Sequence, residues 1–181
     1  MILNGDEIIK YHDQGLIGID PWDLNKVGVN SYDVCLDSKL LKYRNRILDP
    51  RCKNDTKEII IQPHGFMLEP GMLVLGSTKE YCTNKANNLV PMIEGRSSIG
   101  RLGISIHVTA GFGDIGFCGK WTLEIFCVIP VILYDNMPIG QLYWIKTEPS
   151  SRHYSGKYHN QAGPLESCLY KEYGNGRGSE V

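Results

Sequence analysis

After an N-terminal stretch of some sixteen residues, this chain shows no sustained helical period. Short runs rich in Val, Ile, Leu and Tyr are cut again and again by Gly, Pro, Asn and Asp. That punctuation predicts many short strands, at 32–36, 40–43, 58–62, 66–68, 72–76, 80–81, 89–94, 104–108, 121–129, 131–133 and 141–146. Turns are marked at 69–71 and 136–138, where proline meets Gly or Asn. Short strands at regular spacing favour a sandwich or barrel over a parallel sheet with crossover helices. The one substantial helix is expected at the start. Asn4 followed by Glu7 reads as its capped entry, and Ile8, Ile9, His12 and Leu16 share one face.

The 181 residues suffice for a single domain spanning 1–181 and are too few for two ordinary ones. No internal repeat breaks it. From about residue 150 the chain turns polar, with little apolar periodicity. This segment is either a solvated end or a flap that orders on a ligand, and 174–181 is expected to be a disordered terminus.

Charge and cysteine usage narrow the class. A formal net charge of -1 lacks the basic excess of a non-specific nucleic-acid binder. No apolar run is long enough for a membrane span, and the opening MILNGDEIIK carries acids where a signal peptide would be apolar. The six cysteines, Cys35, Cys52, Cys82, Cys118, Cys127 and Cys168, are expected to be reduced thiols of a cytoplasmic protein. None form a C-x-x-C pair and no His-x-Glu accompanies them, so the zinc-deaminase signature is missing.

The stretch 95–124 concentrates the chemistry. Gly95-Arg96-Ser97-Ser98-Ile99-Gly100-Arg101 reads as a turn entering a short helix with serine at the cap. Exposed N–H groups there and a bidentate Arg96 suit phosphate; equally, Ser97 could only cap and the arginines only solvate. Gly111-Phe112-Gly113-Asp114-Ile115-Gly116-Phe117 is either a turn with an Asx cap or a loop that lets a ligand approach the main chain, with Asp114 on a sugar hydroxyl. Glu124 stands on an apolar strand. Alternation puts Thr122, Glu124 and Phe126 on one face and Trp121, Leu123, Ile125 and Cys127 on the other. A solvent-facing Glu124 is an ordinary surface acid, whereas an internal one is suited to shuttle protons. His107 is read as a core histidine.

In order, GRSSIGRLG, HVTAGFGDIGFCG, WTLE and HYSGKYHNQAGP resemble the motifs of the dCTP deaminase family of the dUTPase superfamily. The opening MILNG and the segment NSYDVCL are similar to it too, so the likeness covers nearly the whole chain. It implies a mainly β, distorted jelly-roll (β-clip) barrel with a short N-terminal helix and a flexible C-terminal flap over about 150–181. It also implies a homotrimer with shared active sites that works on dCTP or dUTP without zinc, with Mg²⁺ bound through the nucleotide phosphates. By the same resemblance Glu124 is the catalytic carboxylate that moves protons between water, cytosine N3 and departing ammonia, and Ser97 and Arg101 polarise that water and the tetrahedral centre. Arg96 and Ser98 bind the triphosphate, Asp114 reads the 3′-hydroxyl, and Thr122, Leu123 and Glu124 line the base. Gln141, Tyr154, Lys157 and Gln161 reach the phosphates from a late strand and the tail, which reads as a flap on this likeness. Tyr154 stands only three residues before Lys157, closer than in many deaminases.

Single-activity members of the family carry His-Arg where this chain has Gly111-Phe112. The Gly-Phe form is similar to that of bifunctional members, which convert dCTP to dUMP with release of ammonia and pyrophosphate. The expected activity is therefore deamination coupled to triphosphate hydrolysis, supplying dUMP for dTMP synthesis. The alternatives are a deaminase that stops at dUTP, a plain dUTPase, and a nucleotide-binding regulator without turnover.

Overall fold

Asn4 starts the N-terminal helix as its side chain predicts. Its Oδ1 accepts from the Glu7 N–H at 2.9 Å, and α1 runs Gly5–Asp13 with Ile8 fully buried. The computed structural model describes residues 1–173, so the expected disordered terminus at 174–181 lies outside the described residues.

Thirteen strands follow among the described residues: β1 Ile17–Asp20, β2 Tyr32–Cys35, β3 Lys39–Tyr43, β4 Thr56–Ile60, β5 Phe66–Leu68, β6 Val74–Ser77, β7 Tyr81–Asn84, β8 Leu89–Gly95, β9 Ile104–Ser105, β10 Cys118–Gly119, β11 Thr122–Cys127, β12 Val131–Leu133 and β13 Pro138–Lys146. A short α2, Ser97–Arg101, interrupts them between β8 and β9. The fold is mainly β, as the punctuation predicted. Strands order as β4-β3-β6-β11-β9, β2-β13-β8, β1-β7-β10 and β12-β5. All these strand pairs are antiparallel.

β11 divides interior from site. Leu123, Ile125 and Cys127 are 0%, 0% and 3% exposed and join a core with Leu36, Leu40, Leu68 and Val74. Thr122, Glu124 and Phe126 take the opposite, half-buried face. The register Thr122↔Ser77, Glu124↔Leu75 fixes this orientation, since a one-residue slip would exchange the faces.

Two strands were not legible. β1, with Gly and Asp inside IGID, exists because β7 pairs it from Ile17↔Asn84 to Asp20↔Tyr81. β10 is two residues of the glycine-rich loop recruited by the other edge of β7. Conversely, the expected strand 104–108 ends at Ser105, because the chain turns beyond it towards Glu124.

One fully buried carboxylate holds the N-terminal elements together. Glu80 accepts from Lys26 Nζ at 2.6 Å and from the Cys35 N–H at 3.0 Å. Burial alone would lower the Lys26 pKa, but the hydrogen bond and charge of Glu80 outweigh it and raise it well above the ordinary lysine value.

Candidate active site

The face of β11 that carries Thr122 and Glu124 forms one wall of a cavity of about 310 Å³. Glu124 is gripped by the turn after β9: its Oε2 accepts from Val108 N–H at 2.7 Å and Thr109 N–H at 3.2 Å, and its own N–H donates to Ile106 O. Glu124 Oε1 has no hydrogen-bond partner among the described residues and is left for the cavity. The acid is thus neither buried in the core nor loose on the surface.

The loop 110–117 forms the next wall. Gly111 and Gly113 lie against β8: Ile93 N–H donates to Gly111 O and Gly113 N–H to Pro91 O, both at 2.9 Å. A Cβ at position 111 would stand 2.9 Å from Ile93 O, and one at 113 would stand 2.4 Å from the Trp121 ring. These glycines serve close approach to β8 and Trp121, a use the reading as a turn did not include. Phe112, 65% exposed, and Asp114 consequently sit at the rim of the cavity.

The third wall is the polar tail, and its described part is ordered against the body. Tyr154 N–H donates to Ile115 O, Lys120 N–H to Gln161 O, and the Gln161 amide back to Lys120 O. Further on, Leu165 N–H reaches Thr122 Oγ1 at 3.3 Å, Ser167 N–H the Tyr43 hydroxyl and Cys168 N–H the Tyr158 hydroxyl, both at 3.0 Å. The solvated-end alternative does not describe this segment, which follows the loop 111–122 and covers the cavity.

Of the residues named from the sequence, Phe112, Asp114, Thr122, Glu124, Tyr154 and Gln161 therefore line one cavity. Leu123 does not. Its side chain is fully buried in the core. Arg96, Ser97, Ser98, Arg101, Gln141, Lys157 and Gly111 do not line it either. The helix cap is Arg96 rather than the expected Ser97, because α2 begins at Ser97, and no side chain caps it. Arg101 donates instead to Ser97 Oγ at 3.2 Å, the i,i+4 neighbour on one helical turn. Arg96 pairs with Asp33 at 3.1 Å, and β13 sets Gln141 opposite the same Asp33. Gln161 is committed to Lys120, and Lys157 to Glu172.

Sequence reasoning missed the aromatic lining. Tyr43, Phe117, Trp121 and Tyr158 all face the cavity, with the Phe117 and Trp121 rings 4.8 Å apart. Trp121 and Phe117 flank motifs that were read, so proximity could have flagged them. Tyr43 is placed by β3 and carried no local signal. His107 is mostly enclosed beside this site, and neither ring nitrogen has a partner among the described residues. Burial holds its pKa below the ordinary histidine value against the opposing charges of Glu124 and Glu94. All six cysteines are free thiols. Among the described residues no cluster of three His, Cys, Asp or Glu side chains could hold a metal ion, and no helix is long and apolar enough to cross a membrane.

The site is thus one strand-borne carboxylate facing an aromatic cavity of an antiparallel β domain, with the C-terminal segment as one wall. Residues 2–147 match the dCTP deaminase-like family, and the chain belongs to that family. Among its relatives are proteins named dCTP deaminase, dUMP-forming. One from Clostridium beijerinckii is 50% identical over 96% of this chain and 99% of its own length. Another, from Clostridium botulinum strain Eklund 17B, is 48% identical with the same coverage. The fold is similar to that of the crystal structure of 2'-deoxycytidine 5'-triphosphate deaminase from Agrobacterium tumefaciens, with TM-score 0.63 and 20% identity. That likeness covers 79% of this chain and 47% of the Agrobacterium chain.

Proposed function

We propose that this chain deaminates dCTP at cytosine C4 and hydrolyses the same nucleotide between its α- and β-phosphates. Two waters are consumed, and dUMP, pyrophosphate and ammonia leave. The observation that carries this reading is Glu124, with one oxygen anchored by Val108 and Thr109 and the other left for the cavity. The identical dUMP-forming names of the relatives support the product.

Glu124 Oε1 takes one proton from the water that attacks C4 and delivers it to N3. It then carries the second proton from the resulting C4 hydroxyl to the amino group, which leaves as ammonia. Anchoring the other oxygen keeps the carboxylate in one orientation through both transfers, which is worth more than an equally basic but mobile acid. Thr122 and the main chain at 123 border the base, Asp114 at the rim meets the 3′-hydroxyl, and Tyr154 with Phe117 and Trp121 walls off the sugar. The close-packed Gly111 draws the loop onto β8, and the second reaction needs a water held beside that loop in line with the α-phosphorus.

The preassembled Ser97–Arg101 pair and the Arg96–Asp33–Gln141 group lie outside the cavity of their own chain. A homotrimer in which each chain presents this surface to a neighbour's cavity completes the set, with Ser97 and Arg101 polarising the water and Arg96, Ser98 and Gln141 on the phosphates. Lys157 joins them from the tail. Magnesium suits this donor set as a passenger of the substrate: among the described residues only Asp114 and Glu124 bring carboxylates to the cavity, and Mg²⁺ readily keeps waters and phosphate oxygens as its ligands. Bound there it supplies charge neutralisation. No zinc is required. The free thiols support a cytoplasmic location.

Product analysis tests the proposal. With dCTP and Mg²⁺ the protein releases ammonia and yields dUMP and pyrophosphate with no accumulation of dUTP. Accumulation of dUTP as the sole product would remove the hydrolytic half, and absence of ammonia would remove deamination.

A further inference from the structure

Lys157 is out of place for a phosphate ligand. Its tail neighbours Tyr154, Tyr158 and Gln161 line the cavity, but Lys157 faces an adjoining groove with Asp37, Ser38 and Pro164, and Gln161 borders both. Its ammonium is ion-paired to the carboxylate of Glu172, which stands on the 3-10 turn Leu169–Tyr173. The turn is set there by the tail itself: Cys168 N–H is hydrogen-bonded to the Tyr158 hydroxyl, so the chain doubles back beside Lys157. The same ammonium lies 5.6 Å from the centre of the Tyr158 ring.

We propose that Glu172 is a built-in competitor for the substrate's triphosphate, holding Lys157 off the cavity until a more highly charged anion displaces it. This rests on the reading that Lys157 serves the phosphates. The chemistry fits on three counts. Lysine engages carboxylate and phosphate alike as a point charge on a flexible stem, so one ammonium can exchange between them without a change of backbone. Lys157 is next to Tyr158, a residue of the cavity wall, so its flexible stem starts beside the cavity. Finally, the Glu172 side chain is 59% exposed and that of Lys157 24%, and a partly exposed ion pair of this kind is weak enough to be displaced. A single carboxylate competes well against a nucleotide with few phosphate charges and poorly against a triphosphate. Glu172 thereby lowers the apparent affinity for any anion that draws on Lys157, by the fraction of molecules in which Lys157 is free.

The test is a double-variant cycle read by calorimetric binding of inorganic tripolyphosphate and by steady-state turnover of dCTP. Glu172→Gln is expected to bind tripolyphosphate about two- to fivefold tighter and to lower KM for dCTP by the same factor, with the change falling on KM rather than kcat. The gain should shrink as salt is raised, because the pair it removes is partly exposed. In a Lys157→Gln background the second substitution should add nothing. An unchanged or weaker affinity in Glu172→Gln would overturn the proposal, since a carboxylate that merely braces the tail behaves that way. A gain that persists without Lys157 would overturn it too, by showing a general charge effect. The two readings fail separately. Tighter tripolyphosphate binding in a protein that releases no ammonia retains the competitor and loses the deaminase. Intact ammonia release with no effect of Glu172→Gln does the reverse.

Discussion

Glu124 Oε2 accepts the Val108 N–H at 2.7 Å, so the carboxylate assigned to proton transfer also ties down the turn after β9. A glutamine amide oxygen can accept the same bond, but the side chain can no longer take a proton from water. Glu124→Gln is therefore expected to fold and bind dCTP while deamination falls by at least about 100-fold, the lower range for a general base. Ammonia release and calorimetric dCTP binding check this together; loss of both would make Glu124 a structural residue.

The product should depend on Gly111. A methyl group there meets Ile93 O at 2.9 Å and must push the loop away from β8. Gly111→Ala is expected to keep releasing ammonia while dUMP formation drops by on the order of 100-fold, as follows from displacing a water out of line by an ångström or so. Chromatography would then show dUTP accumulating. An unchanged product ratio would mean that position 111 does not govern the second reaction.

Lys26 and Glu80 make a stability prediction. Removing the cation leaves a fully buried carboxylate uncompensated, which costs about 3–5 kcal/mol. Lys26→Met should lower the melting temperature accordingly. Because the folded Lys26 pKa is raised, the pair's contribution is complete below the ordinary lysine value of about 10.4 and is lost as pH rises through the folded value. The gap between wild type and variant in denaturant titrations should thus hold at neutral pH and narrow only at strongly alkaline pH.

His107 works in the opposite direction. Burial depresses its folded pKa, so the neutral ring is favoured in the native state although Glu124 and Glu94 pull the other way. The corresponding stability is present above the unfolded value of about 6.5 and is lost as pH falls through the folded one. His107→Gln should flatten the decline of melting temperature below about pH 6.5. An identical slope in the variant would assign the acid sensitivity to other groups.

Eleven of the thirteen described strands were legible, and so was the division of β11 into two faces, because both are local. Alternation in WTLEIFC separates Thr122, Glu124 and Phe126 from Leu123, Ile125 and Cys127, but which set turns inward is decided only by packing. β1 and β10 were hidden because only pairing with β7 makes them strands. At the site, the resemblance named Glu124, Thr122 and Asp114, and the three line one cavity. Tyr43 was not, since β3 brings it from eighty residues away. Neither were the partners that Arg96 and Lys157 choose, Asp33 and Glu172, because an arginine or lysine in a motif does not specify which acid the fold sets beside it.

Two tyrosine hydroxyls hold the tail across the cavity. Tyr43 accepts from Ser167 N–H and Tyr158 from Cys168 N–H, each at 3.0 Å, while both rings line the site. Replacing either by phenylalanine keeps the wall and removes only the acceptor. Each bond is worth about 1 kcal/mol, so Tyr43→Phe and Tyr158→Phe should each raise KM for dCTP about fivefold. Because the tail lies on the cavity as one segment, the double variant should exceed the product of the two and make the chain beyond Pro164 a protease target. Limited proteolysis with and without dCTP separates this from a loss of base contacts: substrate should restore protection in the double variant at higher concentration. A wild-type cleavage pattern would show that the tail is held by Gln161 and Lys120 instead, where Lys120 N–H donates to Gln161 O and the Gln161 side-chain amide donates back to Lys120 O.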